Sequence, residues 1–138
     1  MNGGPGFAFH HFGLAVADPA RALAFLAQMG FACGSRVSDP LQRVDLVWCS
    51  HAQMPSVELV IATDPDGPLR SVLAQAPSSF YHLCWEVPGI DAAVAHWTGS
   101  GLRVATVRAP LPAILFGGRR VSFHMVQGFG LVELLEAA

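Results

Sequence analysis

Apolar residues along this chain fall into short strand-length runs and two helix-spaced stripes, and the order of these elements repeats. Residues 7–16 read as a strand. Asp18-Pro19 then marks a helix start, with Asp18 as N-cap and Pro19 at the first helical position. Leu23, Phe25, Leu26 and Met29 supply the apolar stripe, and Gly30 stops the helix. Residues 31–37, 43–49 and 56–62 read as three further strands, with Ser38-Asp39-Pro40 as a turn. Turn chemistry at Thr63-Asp64-Pro65-Asp66-Gly67-Pro68, a short helix over 69–75 and a break at 76–79 form a connector. Residues 80–87 are predicted to form a strand and 90–98 a helix, in which Val94 and Trp97 match Leu23 and Leu26. Residues 102–107, 119–126 and 129–135 complete the strands. Ala109-Pro110-Leu111-Pro112 is expected to lie outside any sheet, because proline donates no ladder bond, and to start a loop ending at Gly117-Gly118.

Each half is therefore β-α-β-β-β, with a period of 71 to 75 residues. That period is too long, and the copies too few, for a solenoid. The predicted fold class is α+β: two tandem βαβββ repeats forming one eight-stranded cupped mixed sheet, with helices on its outer face. Residues 1–6 are expected to be a flexible leader and 7–138 a single domain, with repeat one over 7–62, the connector over 63–79 and repeat two over 80–136.

The repetition extends to chemically able residues. His11 opens His11-Phe12-Gly13-Leu14-Ala15-Val16, with Gly30 following 19 residues later; His82 opens His82-Leu83-Cys84-Trp85-Glu86-Val87, with Gly101 at the same spacing. The halves close on Val57-Glu58-Leu59-Val60 and Val132-Glu133-Leu134-Leu135. A lone histidine or glutamate in a strand is most often a hydrogen-bonded core group or a solvated face. Two imidazoles and two carboxylates at matched positions point instead to a divalent-metal site on a pseudo-two-fold axis.

Composition narrows the setting. Hydrophobic residues make up 52% of the 138, enough for a core, while only 13% are charged. That is about half the usual share, so a homodimer that covers apolar surface is expected. A net charge of -2 speaks against a nucleic-acid partner. All eight cations are arginine. No apolar run approaches the ~18 residues of a membrane helix, and residues 1–6 lack the features of a signal peptide. Cys33, Cys49 and Cys84 fit buried thiols in a reducing cytoplasm better than a disulfide framework.

With histidine and glutamate on the first and last strands of each half, the chain resembles the vicinal oxygen chelate superfamily of glyoxalases, bleomycin resistance proteins and dioxygenases. Within it, the chain is most similar to methylmalonyl-CoA epimerase-like members. His11 to Val16, Tyr81 to Val87, Gly117-Gly118-Arg119-Arg120-Val121-Ser122-Phe123 and Val132-Glu133-Leu134 carry that resemblance. It implies that His11, Glu58, His82 and Glu133 bind one divalent ion (Co, Zn, Ni, Mn or Fe), leaving two positions for a chelating substrate. It also implies Asp45 as a general base, against a bland reading as a surface partner of Arg43. Of the two arginines after the Gly-Gly turn, it selects Arg120 as the substrate clamp, against two solvated edge residues. His10 is expected on the opposite strand face from His11. His51, His96 and His124 read as surface or structural groups.

The implied activity is that of a metal-dependent isomerase or epimerase. It would move a proton α to a carbonyl of an acyl-thioester or dicarboxylate-type substrate, with Glu133 and Asp45 carrying the proton. The handle would be coenzyme A, an acyl-carrier thioester or a smaller acyl group, since lysine is absent and the loop at 109–116 is apolar. An Fe(II) dioxygenase or a glyoxalase I-like lyase is an alternative, as is a non-catalytic small-molecule-binding protein of the resistance type.

Overall fold

Asp18-Pro19 starts a helix as its chemistry requires. In the computed structural model, which describes residues 6–138, β1 (Ala8–Val16) leads into α1 (Pro19–Gln28). Proline's fixed φ suits the first turn, where its missing N–H would have no partner in any case. Asp18 is extended, and its Oδ1 accepts a hydrogen bond from the Ala20 amide at 3.0 Å. Gly30 ends the segment at φ 90°, a conformation that favours glycine. The expected leader lies, save for Gly6, outside the described residues.

Four strands follow: β2 (Ala32–Cys33), β3 (Val37–Asp39), β4 (Val44–Ser50) and β5 (Ser56–Ala62). β5 pairs parallel with β1 and antiparallel with β4; β2 and β3 share the other edge of β4. The single strand expected over 31–37 is thus two. Gly34 still donates to the Trp48 carbonyl at 2.9 Å, but Ser35 and Arg36 leave the ladder. After α2 (Arg70–Gln75) the pattern returns as β6 (Ser78–Val87), α3 (Ile90–Gly99), β7 (Val104–Pro112), β8 (Arg120–Val126) and β9 (Gly130–Glu136). β9 pairs parallel with β6 and antiparallel with β8, which pairs antiparallel with β7. The class is mixed α+β, with nine strands among the described residues where the sequence predicted eight.

The chain divides into two compact units. One is His11–Tyr81; the other joins the residues up to His10 to His82–Ala138. In the first, Leu26 and Phe31 pack on Val47, Cys49, Val57, Leu59 and Ile61. In the second, Ile90, Ala93 and Trp97 pack on Val87, Val132 and Leu134. Trp97 therefore takes the place of Leu26, as the repeat predicted. Each buried Val, Leu, Ile or Phe among these contributes about 1.5–3 kcal/mol of transfer free energy. Each helix thus covers one face of its unit's strands and leaves the other for chemistry. No helix among the described residues is long and apolar enough to cross a membrane.

One expectation fails outright. Pro110 and Pro112 lie within β7, not in a loop. The register of β7 on β8 shifts between Thr106 and Arg108 and again between Arg108 and Leu111. β8 is the only partner of β7 among the described residues. An edge strand with such irregularities accommodates a residue without an N–H. The loop proper is short and holds a single 3-10 turn, Ile114–Phe116.

Replacing Asp18 with alanine removes the α1 cap and is expected to lower unfolding free energy by about 1 kcal/mol, while Asp18→Asn retains most of it. Urea denaturation reads both; equal midpoints for Asp18→Ala and the parent chain would contradict the capping role.

Candidate metal centre

Parallel pairing of the first and last strands fixes each site from the backbone up. In the first unit β1 and β5 align Gly13 with Glu58, and His11 lies two residues earlier, on the same strand face. The His11 Nε2 and Glu58 Oε1 atoms are 3.4 Å apart, with the residues 0% and 5% exposed. In the second unit β6 and β9 align Cys84 with Glu133, and His82 again lies two residues earlier. Here Nε2 and Oε1 are 3.0 Å apart, and both residues are 1% exposed. The same register recurs in the two units.

Each pair also has an aromatic wall. Trp48 on β4 is directly opposite Glu58, and its ring meets the His11 imidazole edge-on at 5.1 Å. Phe123 on β8 is directly opposite Glu133 and meets the His82 ring at 5.2 Å. The sequence reading missed both residues. Their signal was present, since each aromatic stands ten positions before its glutamate.

A carboxylate taken out of water costs several kcal/mol unless a charge or strong donor compensates it. Imidazole nitrogen and carboxylate oxygen suit borderline divalent metals. Ligand atoms about 2.1 Å from one small ion stand about 3 Å apart when adjacent. The spacing within each pair fits that arrangement, and so does the chemistry of the donors.

A family model for the glyoxalase/bleomycin resistance protein/dioxygenase superfamily matches residues 10–123. The chain belongs to this superfamily. Methylmalonyl-CoA epimerase from Mycobacterium tuberculosis is similar in structure (TM-score 0.77, 19% identity, covering 100% of this chain and 93% of that one). So is a hypothetical protein from Bacillus halodurans (TM-score 0.80, 17% identity, 96% and 95% covered). A third is a point variant of Streptomyces coelicolor methylmalonyl-CoA epimerase in complex with 2-nitronate-propionyl-CoA (TM-score 0.75, 21% identity, 95% and 97% covered). At these identities the likeness carries the fold alone. Comparison with curated proteins gives no match.

Two residues expected at the site are placed elsewhere. Asp45 is directly opposite Ile61, on the face of β4 that carries Val47 and Cys49 toward α1. Its Oδ2 accepts from Arg36 Nε at 2.8 Å, not from Arg43, which pairs with Asp64. The residues of β4 on Glu58's side are Val44, Leu46 and Trp48, so Asp45 is not on the ligand face. Arg120 has the same outcome. It forks onto Glu136 with bonds of 3.0 and 2.9 Å, and alternation along β9 puts Glu136 opposite in sense to Glu133. That guanidinium is also what draws the Glu136 carboxyl below its usual range. Arg119 is the inward member of the pair. It donates to Glu86, which lies on the His82 side of β6.

Phe9 and His10 take opposite sides of their unit. Phe9 meets Trp85 on the α3 side, while His10 meets Phe116 edge-on at 5.3 Å. Phe116 packs with Cys84, Val121 and Leu135, on the Glu133 side of its unit. His10 therefore shares that side of its unit. Of the cysteines, Cys49 and Cys84 are buried as predicted, but Cys33 is exposed.

His124 is structural, as the sequence reading had it, but is buried rather than superficial. Its Nε2 is 2.7 Å from Ser122 Oγ and its Nδ1 is 3.0 Å from Thr106 Oγ1, under the edge of Trp97. Burial holds its pKa below 6.5, so the folded chain binds fewer protons here than the unfolded chain. The associated stability is complete above about pH 6.5 and is lost as pH falls, levelling off below the depressed folded value. His124→Gln is expected to flatten the fall in unfolding free energy between pH 7.5 and pH 5; an unchanged pH slope would refute this assignment.

Proposed function

We propose that this chain is a metal-dependent isomerase or epimerase that moves a proton α to a carbonyl of an acyl-thioester or dicarboxylate-type substrate. His11, Glu58, His82 and Glu133 together hold one divalent ion in this reading. The observation that carries it is the twofold occurrence, in identical strand register, of a buried imidazole–carboxylate pair. Superfamily membership supports it, and so does the likeness to epimerases, one of them in complex with 2-nitronate-propionyl-CoA.

When bound, the ion acts as a Lewis acid toward two substrate oxygens and so acidifies the α-carbon. The chain's residues do the rest. Glu133 takes the α-proton on a carboxylate oxygen, within a wall of Phe123, Cys84 and Leu135 that keeps water out. Asp45 is turned away and held by Arg36, so the proton on the other substrate face falls to Glu58, the repeat counterpart of Glu133. Arg119 replaces Arg120 as the contact for an anionic group, exchanging its bond to Glu86 for one to substrate. A homodimer belongs to the same reading. It rests on the low charge content and on Phe25, Phe80 and Phe129, each more than 60% exposed.

The test is deuterium exchange at the α-carbon of a methylmalonyl or related acyl thioester in heavy water. Glu133→Gln should reduce exchange by about 10²–10⁴-fold without changing the circular dichroism spectrum. Exchange at the parent rate in a folded Glu133→Gln protein would remove Glu133 from proton transfer.

A further inference from the structure

Two of the three cysteines face each other. β2 and β4 run antiparallel, with Cys33 directly opposite Cys49. The next position toward the turn, Gly34 against Trp48, is bridged by the Gly34 amide donating to the Trp48 carbonyl at 2.9 Å. Bonded and non-bonded positions alternate along an antiparallel ladder. Cys33 and Cys49 therefore occupy a non-hydrogen-bonded position, where Cα atoms approach to about 4.5 Å and side chains are closest. A disulfide needs Cα atoms about 4.4–6.8 Å apart, so no backbone movement is required. Cys33 is near enough to help raise the Cys49 thiol pKa.

The two sulfurs differ in a useful way. Cys33 is exposed, whereas Cys49 is 0% exposed against Leu26, Phe31 and Val57. We propose that Cys33 and Cys49 form a reversible intrachain disulfide when the protein meets a peroxide.

Cys33 is the sulfur a peroxide reaches. Its thiolate attacks one peroxide oxygen, the O–O bond breaks, and the second oxygen leaves as hydroxide, which takes up the proton the Cys33 thiol released and becomes water, giving a sulfenic acid on Cys33. The Cys49 sulfur then attacks the Cys33 sulfur. The S–S bond forms, the S–O bond breaks, and that oxygen departs with the Cys49 proton as a second water. Two thiols give up two electrons, and one peroxide takes them. Burial, reinforced by the neighbouring Cys33, pushes the Cys49 thiol up to about 12, which keeps it unreactive until Cys33 is oxidised. Once Cys33 is a neutral sulfenic acid its charge no longer opposes ionisation of Cys49.

The crosslink closes a loop over residues 34–48 that carries β3, the Arg36–Asp45 ion pair and Trp48. Trp48 is the ring on His11, so the oxidised form fixes the strand that walls this imidazole. The proposal does not depend on the reaction assigned above.

The experiment treats reduced full-length protein with one equivalent of hydrogen peroxide, blocks remaining thiols by alkylation and maps peptides by mass spectrometry. The expected product is a Cys33–Cys49 linked peptide about 2 Da lighter than the two reduced peptides together, lost on adding dithiothreitol, with Cys84 alkylated. The oxidised protein should melt a few degrees higher than the reduced form. In Cys49→Ser, Cys33 should be trapped by dimedone as a sulfenic acid; if that variant does not fold, the parent's peptide map decides alone. Separate alkylated Cys33 and Cys49 peptides, only interchain disulfides, or direct passage of Cys33 to sulfinic acid would overturn the proposal.

Discussion

Parallel pairing of the first strand of each repeat with its last is the constraint on which the rest depends. It sets one residue opposite another, Gly13 against Glu58 and Cys84 against Glu133, and so brings a histidine two positions earlier onto the glutamate. Parallel neighbours require a crossover, which α1 and α3 open, each covering the far face with apolar side chains. A slip of one residue would send the glutamate among Leu59 and Ile61, or among Val132 and Leu134, where a carboxylate has no partner. Register, helix packing and ligand chemistry are therefore specified together.

The two faces of each unit divide the work. On the helix side stand Leu26 or Trp97, the Arg36–Asp45 pair, the Arg120–Glu136 fork and the buried His124. On the other side stand the histidine, the glutamate and an aromatic ring set against the imidazole. With so little water near them, charges on that side act at a low effective dielectric.

Much of this was legible in the chain because it is written twice. The Asp18 cap, the exchange of Leu26 for Trp97 and the four matched His and Glu positions followed from comparing the halves. What failed was whatever depends on a partner strand. The resemblance implies Asp45 at the site, but its face is set by pairing with Ile61, which periodicity does not reveal. Arg119 and Arg120 follow a Gly-Gly turn, and which one looks inward depends on where the ladder begins. Pro110 and Pro112 excluded a strand only on the assumption of a regular, central one. Two symmetry-related aromatics, Trp48 and Phe123, went unseen because a ring in a strand signals only packing, although their spacing to glutamate repeats.

The central claim is that the two buried pairs serve one ion. Isothermal titration of the metal-free protein with a divalent ion, Co²⁺ or Zn²⁺, tests it most directly when run on the parent chain, His11→Ala and His82→Ala. The account predicts one ion per chain for the parent and a large loss of affinity in both variants. Two ions per chain, or full affinity after either substitution, would contradict it.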